Sequence, residues 1–425
     1  MIKRYELSRI GIDEILSRDK AASADVEAVV AGIIADVRKN KDAALKALTA
    51  KFDGAVLSSL LVTDRERAEA AVAPGLLDVM KRAAENIRAF HERQLNRGFV
   101  MFREDGVVLG QRVTPLARVG VYVPGGTASY PSSVLMNVIP AQVAGVPEII
   151  LATPPRKDGT VDPLILAAAG IAGVTTMVKA GGAQAIAALA YGTESVPKVC
   201  KITGPGNIFV AEAKRQVFGE VDIDMMAGPS EILILADESA DPVRLAADLL
   251  SQAEHDKMAA PVLVTPSADL ADAVEKELAR QVALLPREGI CRAALADKGK
   301  IIISGDMDEA VAAANAIAPE HLTLAVKAPF DLMGRIQNAG SIFLGHDTPV
   351  AVGDYFAGPN HVLPTSGAAR FASPLSVDDF VKKSQFISYT PQALAEAAED
   401  VTAFARAEGF EAHARSVLAR LPGRE

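Results

Sequence analysis

Two long amphipathic segments dominate the first hundred residues of the chain. In residues 24–52 and 76–98, apolar side chains recur three and four positions apart, which is the spacing of one helix face. Both segments are therefore predicted to be amphipathic helices that precede the main sheet.

From Ala117 onward, short apolar runs alternate with alanine-rich segments. Four of the apolar runs are predicted to be buried strands, at Val119–Val123, Glu148–Thr153, Thr175–Lys179 and Val199–Thr203. The helices between and after them are predicted near 132–144, 161–170, 182–191 and 206–217. This alternation of strand and helix indicates a parallel sheet with right-handed crossovers.

The same alternation resumes after the loop at residues 225–230. Strands are predicted at 231–236, 261–265, 301–304 and 322–326, and helices at 240–254 and 267–283. The first of these helices begins at Asp241 and Pro242, since Asp caps a helix N-terminus and Pro suits its first turn. From about residue 375 onward no strand run remains, so a helical tail is predicted. The fold class is therefore α/β with two parallel sheets.

Composition narrows the class of protein. Half of the 425 residues are hydrophobic and 23% are charged, a balance typical of globular chains and not of disordered ones. The formal net charge of -9 argues against nucleic-acid binding, which needs basic surface to neutralise phosphates. No signal peptide or membrane span is expected, because the first residues are charged and no apolar run reaches about 18 residues. Cys200 and Cys291 suit a reducing compartment, so a cytoplasmic protein is expected.

Glycine-rich turns follow three of the predicted strands. They lie at 123–133, 180–189 and 203–209, and none of them has the full G-x-G-x-x-G pattern of a dinucleotide-binding turn. Ligands of open parallel sheets bind outside the carboxyl ends of the strands, often at helix N-termini that suit phosphate. Each turn by itself is equally consistent with a tight connection between strand and helix.

Four of the six histidines lie in short polar segments: LLSQAEHD (249–256), IAPEHL (317–322), GDYFAGPNHVLPTSG (353–367) and EGFEAHARS (408–416). Gln252 and His255 are three positions apart near the end of an apolar helix, so they share one face and can bind one ion. With Asp354 and His413 they would form a set of two imidazoles, a carboxylate and an amide, which suits zinc or manganese. A single histidine at such a position is more often a capping or core residue.

Glu320 and His321 are adjacent at the predicted start of a strand. Neighbouring residues of an extended chain point to opposite faces, so both can serve one site only at an irregular strand end. A histidine suits removal of an alcohol proton and a glutamate suits activation of water, although a surface pair is as plausible. Cys200 and Cys291 are interpreted as inert packing thiols, and His91 and His346 as structural or surface residues.

Over nearly its full length the chain resembles the histidinol dehydrogenase family. The resemblance rests on VGVYVPGG, GGAQAIAALAYGT, KITGPGNIFVAEAKRQV, MAGPSEILILAD, LLSQAEHD, APEHL, GDYFAGPNHVLPTSG and EGFEAHARS, in that order. Such a series of long ordered motifs is highly specific. It implies NAD-dependent oxidation of L-histidinol to L-histidine, with an enzyme-held aldehyde between two hydride transfers.

The resemblance also implies a role for individual residues. It implies one zinc per active site, with His321 as the base for the hydroxyl proton and Glu320 as the group that activates water. The implied zinc ligands are Gln252, His255, Asp354 and His413, which also bind substrate together with Ser230, His321, His361 and Glu408. The implied NAD contacts are Tyr122, Gln184 and Asn207.

The resemblance further implies a homodimer with shared active sites and two incomplete Rossmann-like domains. The predicted parts are an N-terminal arm (1–22), a metal-binding and catalytic domain (23–112 with 232–370), an NAD-side domain (113–231) and a helical tail (371–425). The tail is expected to cross to the partner, so that Glu408 and His413 complete the neighbouring site.

Three other functions compete with histidinol oxidation. A related zinc- and NAD-dependent dehydrogenase of another small amino alcohol or diol would lack part of the residue set that recognises the imidazole and the amine. A metal-dependent hydrolase would use zinc-bound water and would leave the three glycine-rich strand ends without a purpose. A binding protein with a structural metal would leave the catalytic base unexplained.

Overall fold

The computed structural model describes residues 2–15, 24–125, 129–226 and 228–422. Parts of the predicted N-terminal arm, of the glycine turn at 123–133 and of the loop at 225–230 lie outside these residues. The chain divides into a large unit, Met1–Gln94 with Leu116–Phe380, and a small unit, Leu95–Pro115 with Val381–Glu425. Among the described residues, no helix is long and apolar enough to span a membrane.

The strands are β1 (Lys3–Glu6), β2 (Phe99–Phe102), β3 (Val108–Pro115), β4 (Val119–Tyr122), β5 (Ile149–Thr153), β6 (Thr176–Lys179), β7 (Lys201–Thr203), β8 (Asp222–Ile223), β9 (Glu231–Ala236), β10 (Ala260–Thr265), β11 (Lys300–Ile303), β12 (His321–Ala325), β13 (Ser341–Leu344) and β14 (Val381–Ser388). The helices are α1 (Ile12–Ile15), α2 (Ala24–Phe52), α3 (Asp64–Ala68), α4 (Pro74–Glu92), α5 (Pro131–Val143), α6 (Pro163–Ile171), α7 (Gly182–Tyr191), α8 (Ile208–Val217), α9 (Pro242–Ala253), α10 (Ala268–Val282), α11 (Glu288–Asp297), α12 (Met307–Ile317), α13 (Pro329–Met333), α14 (Val350–Tyr355), α15 (Pro391–Ala407) and α16 (Glu411–Leu418). Short 3-10 helices lie at Ala368–Arg370 and Val377–Phe380.

Two parallel sheets with helices on their faces build the large unit. One has the strand order β6-β5-β4-β7-β8, and the other has the order β1-β11-β10-β9-β12-β13. In the five-stranded sheet the first strand of the repeat, β4, lies third, which gives the 3-2-1-4-5 order of a Rossmann sheet without its sixth strand. The six-stranded sheet has the same order from β11 to β13, and β1 is added beside β11 at its edge. The prediction of two incomplete Rossmann-like sheets is therefore confirmed.

Strand β9 shows why the strands of the two parallel sheets consist mainly of consecutive apolar residues. Ile232 and Ile234 enter the core on one face of the six-stranded sheet, whereas Leu233 and Leu235 enter the core on the other face. A parallel sheet that is covered by helices on both faces has no solvent side, so its strands lose the polar alternation of a surface sheet. The helix that follows starts where predicted, because the Asp241 side chain accepts a hydrogen bond from the Val243 amide at 2.8 Å.

The long N-terminal helices pack on the five-stranded sheet. Leu45 of α2 shares a core with Ile150 of β5, and Ile87 of α4 shares a core with Val121 of β4. The predicted domain division instead groups residues 23–112 with residues 232–370, which form most of the six-stranded sheet. Helical periodicity shows that a helix has an apolar face, but it does not identify the apolar layer that receives this face.

The small unit contains a three-stranded sheet in the order β14-β3-β2 and the helix pair α15 and α16. The prediction of a tail without strands is wrong for Val381–Ser388, which pairs antiparallel with Val108–Pro115. This strand is mostly exposed and contains Lys382 and Lys383, so it has no buried apolar run that periodicity could detect. The helix predicted to reach residue 98 ends at Glu92.

Candidate active site

Glu320 and His321 lie at the amino edge of the six-stranded sheet. Helix α12 ends at Ile317, and Ala318 adopts the left-handed conformation (φ 50°) that turns the chain into β12. Strand β12 pairs with β9, so His321 lies opposite Ile232, two residues beyond Ser230. The irregular strand start brings both side chains onto the backbone of Glu231.

The Glu231 main chain orients both side chains. Its amide donates to Glu320 Oε2 at 2.8 Å, and its carbonyl oxygen lies 2.9 Å from His321 Nδ1. Because a carbonyl oxygen only accepts, Nδ1 carries the hydrogen, and the lone pair of the neutral ring lies on Nε2. That Nε2 is buried and has no hydrogen-bond partner among the described residues.

The charges of this site act on one another. Burial raises the pKa of Glu320 to about 7, against the opposing effect of His321. Burial by itself would lower the pKa of His321, but the carboxylates of Glu320 and Asp354 outweigh burial and raise it. The site therefore contains an imidazole whose protonated form is stabilised by carboxylates, beside a carboxyl group that changes charge near neutral pH.

Asp354 and His361 face the same space as His321. Asp354 Oδ1 lies 3.7 Å from His321 Nε2, and the Asp354 carbonyl oxygen accepts from His361 Nδ1 at 3.0 Å. All three residues line a cavity of about 160 Å³. Asp354 lies in the last turn of the short helix α14, which ends one residue later at Tyr355.

Gln252 and His255 approach this cluster from the end of α9. Gln252 is buried in the last turn, and the His255 amide donates to the Gln252 carbonyl at 3.2 Å, which extends the turn. Burial lowers the pKa of His255, although the negative charge of Asp354 opposes this effect. Burial would raise the pKa of Asp354, but the neighbouring His321 lowers it.

These directions match what a metal requires. Zinc binds neutral imidazole and ionised carboxylate, which are the forms that the pKa shifts of His255 and Asp354 favour. Within the described residues no three His, Cys, Asp or Glu side chains form a metal-sized cluster. The donors therefore fit zinc only as an imidazole–carboxylate pair that is completed by the Gln252 amide and a further ligand.

His91, interpreted from sequence as structural or surface, is fully buried beneath the site. Its Nε2 accepts from Asn360 Nδ2 at 3.2 Å, and Asn360 Oδ1 accepts from the Val362 amide at 2.9 Å. These bonds fix both sides of His361. Glu231, His91 and Asn360 were all missed as supporting residues. Glu231 adjoins Ser230 and Asn360 adjoins His361, both of which the resemblance named, whereas His91 has no such neighbour.

A second cluster lies at the carboxyl edge of the five-stranded sheet. The Tyr122 hydroxyl, at the end of β4, accepts from the Gly182 amide at 3.0 Å. The Gln184 side chain lies over Gly182, since its Oε1 would be 2.9 Å from a Cβ at that position. Asn207 caps α8 by accepting from the Phe209 and Val210 amides at 3.1 and 3.2 Å.

The comparisons with known proteins agree over the whole chain. Residues 16–421 match the histidinol dehydrogenase family model. The chain belongs to the histidinol dehydrogenase family. It is 58% identical over 394 residues to the histidinol dehydrogenase of Geobacillus kaustophilus, with 92% of this chain and 93% of the relative covered. The corresponding enzyme of Bacillus subtilis is 56% identical over 402 residues, with 94% of each covered.

A solved structure supports the same assignment. The crystal structure of histidinol dehydrogenase from Elizabethkingia anophelis has a TM-score of 0.94 to this chain at 37% identity. The match covers 99% of this chain and 98% of that one. The fold described above is therefore the fold of the histidinol dehydrogenase family.

In this family member, a buried ion pair holds the turn that leads to Asn207. Lys214 of α8 contacts Asp224, and their side chains are 2% and 1% exposed. The two groups also bind opposite ends of Gly204: its amide donates to Asp224 Oδ2 at 2.7 Å, and its carbonyl accepts from Lys214 Nζ at 3.1 Å. Gly204 has φ +116° and lies against the Tyr122 carbonyl, so only glycine fits there.

The remaining predicted site residues of this histidinol dehydrogenase relative lie in the small unit. Glu408 follows the last turn of α15, and His413 lies on α16; both are exposed. The rings of His413 and Phe410 are 5.2 Å apart.

The thiols differ from their prediction in one case. Cys291 is buried as predicted, but Cys200 is exposed, so its interpretation as a packing thiol is wrong. Cys200 immediately precedes β7 and its side chain is exposed, whereas its neighbour Val199 is buried.

Proposed function

We propose that this chain oxidises L-histidinol to L-histidine through L-histidinal, with NAD as the oxidant, in the cytoplasm. Family membership supports the substrate and the place of the reaction in histidine biosynthesis. One observation carries the chemistry: the His321 ring has Nδ1 3.5 Å from Glu320 Oε2, and its buried Nε2 has no hydrogen-bond partner among the described residues. The net change is one alcohol, one water and two NAD⁺ giving one carboxylate, two NADH and three protons.

In the first oxidation His321 takes the proton of the substrate hydroxyl at Nε2. Its Nδ1–H is held by the Glu231 carbonyl at 2.9 Å, so the ring cannot present the other nitrogen. The neutral ring is the form that accepts this proton, and the carboxylates of Glu320 and Asp354, which raise the pKa of His321, stabilise the imidazolium that then forms.

In the second oxidation Glu320 removes a proton from the water that attacks the aldehyde. The pKa of Glu320, raised by burial to about 7, supports this role, since its carboxylate both accepts and releases a proton near neutral pH. The Glu231 amide holds Oε2 at 2.8 Å and leaves Oε1 for water.

Gln252, His255, Asp354 and His413 would bind one zinc per subunit, and Tyr122, Gln184 and Asn207 would bind NAD. Zinc, when bound, holds and orients the nitrogen atoms of the substrate, and NAD accepts a hydride in each oxidation. Ser230 and His361 border the reacting groups, and with Glu408 they would contact substrate.

We propose further that the protein is a homodimer with shared sites. The small unit exposes large apolar side chains, with Phe102 77%, Phe404 71% and Ile387 70% exposed, as expected of a surface that packs on another chain. In the dimer, Glu408 and His413 of the partner subunit would complete each site.

The deciding experiment measures the NADH formed per mole of L-histidinol consumed by the purified, zinc-loaded protein. A yield near two, with L-histidine as product and loss of activity on chelation, is expected. A yield near one would show that the protein does not catalyse the second oxidation. No NADH from folded, zinc-loaded protein would refute histidinol as substrate and favour another small amino alcohol or diol.

A further inference from the structure

Asp53 lies in the cofactor-side cluster, although it is remote from the cluster in sequence. It follows directly after α2, and its Oδ1 would lie 3.4 Å from a Cβ on Gly181, at the start of α7. Its charge contributes to raising the pKa of Tyr122, after burial. The carboxylate is therefore close to the Tyr122 hydroxyl and the glycine turn.

This carboxylate is incompletely satisfied. Oδ2 of Asp53 is buried and has no hydrogen-bond partner among the described residues. A carboxylate accepts about four hydrogen bonds, and burying an unpaired one is costly. Burial accordingly raises the pKa of Asp53 to about 6, with no compensating partner. An unsatisfied acceptor at the edge of a ligand-binding sheet points to a donor that arrives with the ligand.

The local electrostatics restrict the kind of donor. Gly181 is the N-cap residue of α7 and provides no side-chain hydrogen bond, and the helix N-terminus favours negative charge. The Asp53 carboxylate repels a phosphate at the same place, so the group that meets it must be a neutral donor such as a hydroxyl. The pyrophosphate of a dinucleotide would then lie elsewhere in the cluster.

Rossmann folds use an acidic side chain after the second strand to bind a ribose hydroxyl. Here the second strand, β5, is followed by Pro154-Pro155-Arg156-Lys157, which contains no carboxylate. The next acid, Asp158, accepts from the Thr160 hydroxyl at 2.7 Å. Pro154 lies 2.7 Å from the same Gly181 Cβ position as Asp53, so Asp53 reaches the end of β5 from α2.

We propose that Asp53 accepts a hydrogen bond from a ribose hydroxyl of the nicotinamide dinucleotide and thereby selects NAD over NADP. This inference rests on the proposed NAD-dependent function. A 2′-phosphate removes the donor hydroxyl and brings negative charge to the carboxylate, so Asp53 disfavours NADP in two ways.

The test is binding of NAD⁺ and NADP⁺ to the zinc-loaded protein by equilibrium dialysis, without substrate. Asp53→Asn keeps the shape and removes the charge, and it breaks no hydrogen bond within the described residues. Asp36→Asn on α2 is the control for the change in net charge. We expect Asp53→Asn to lower the ratio of the NADP⁺ Kd to the NAD⁺ Kd by about 10-fold or more, while the control keeps the wild-type ratio.

Two other outcomes overturn the inference and are distinguishable. An unchanged ratio in folded Asp53→Asn, with NAD⁺ still bound by the wild type, refutes the role of Asp53 and leaves the proposed function intact. Failure of the folded, zinc-loaded wild type to bind either dinucleotide refutes the proposed cofactor as well. A thermal midpoint at or above the wild-type value shows that the variant is folded.

Discussion

Replacing Asp224 by Asn tests whether the buried ion pair holds the turn before Asn207. The change leaves the Lys214 ammonium uncompensated, although this side chain is only 2% exposed. Removing one partner of a buried pair destabilises proteins by about 3–5 kcal/mol, because the remaining charge stays in a medium of low polarity. The Gly204 amide would also lose its charged acceptor at 2.7 Å and keep only an amide oxygen.

The expected loss of unfolding free energy can be converted to a decrease in the melting temperature. An unfolding entropy of about 2.1 cal/mol/K per residue over 425 residues amounts to about 0.9 kcal/mol/K, so about 4 kcal/mol lowers Tm by about 4–5 °C. Scanning calorimetry of Asp224→Asn measures this shift, and equilibrium dialysis measures the accompanying loss of NAD⁺ affinity as the turn loosens.

The matched control is Glu220→Gln, which breaks the ion pair between Glu220 and Lys198. The Lys198 side chain is 49% exposed and the Glu220 side chain is 45% exposed. Exposed pairs contribute about 0–1 kcal/mol, so Tm should fall by about 1 °C or less. Equal shifts in Asp224→Asn and Glu220→Gln would refute the argument from burial. A large Tm shift in Asp224→Asn with unchanged NAD⁺ affinity would leave the pair a stabilising role and remove its role in positioning the turn.

Further predictions concern the proposed catalytic and zinc-binding residues. Glu320 must be ionised to act as a base, and burial raises its pKa to about 7, so the rate of L-histidinal oxidation should rise with pH through about 7. Glu320→Gln should abolish this pH dependence and lower the rate about 10²–10⁴-fold. Stopped-flow absorbance of NADH measures both effects. His255→Ala should lower bound zinc, measured by elemental analysis. Mixed inactive His413→Ala and His321→Asn subunits should regain activity if His413 serves the partner's site.

Each of these predictions has a contradicting result. A pH profile that still rises through about 7 in Glu320→Gln would assign that titration to another group. Full zinc content in folded His255→Ala would exclude His255 as a ligand, and His346→Ala, which removes a half-buried histidine outside the predicted ligand set, is the control. No recovery after demonstrated subunit exchange would place His413 in the site of its own chain.

The sequence by itself determined the two parallel sheets. The apolar runs of β4, β5, β9 and β10 are predicted within two residues, because strands covered on both faces need continuous apolar side chains. Helix starts such as Asp241 are also local, since a cap acts within its own turn. Strands β1 and β14 escaped prediction because both are edge strands whose partners are distant in the chain.

The tertiary structure decided which groups act together. Sequence and resemblance point to Glu320 and His321, but the Glu231 backbone that orients them comes from another strand. The same is true of Asp53, which comes from α2 and lies beside a turn that follows β6. Local patterns report the burial and backbone conformation of a segment, whereas hydrogen bonds and charges between distant segments exist only once the chain is folded. The spacing of apolar residues therefore determines the fold class, whereas the proposed proton transfers depend on strands that meet only in the folded protein.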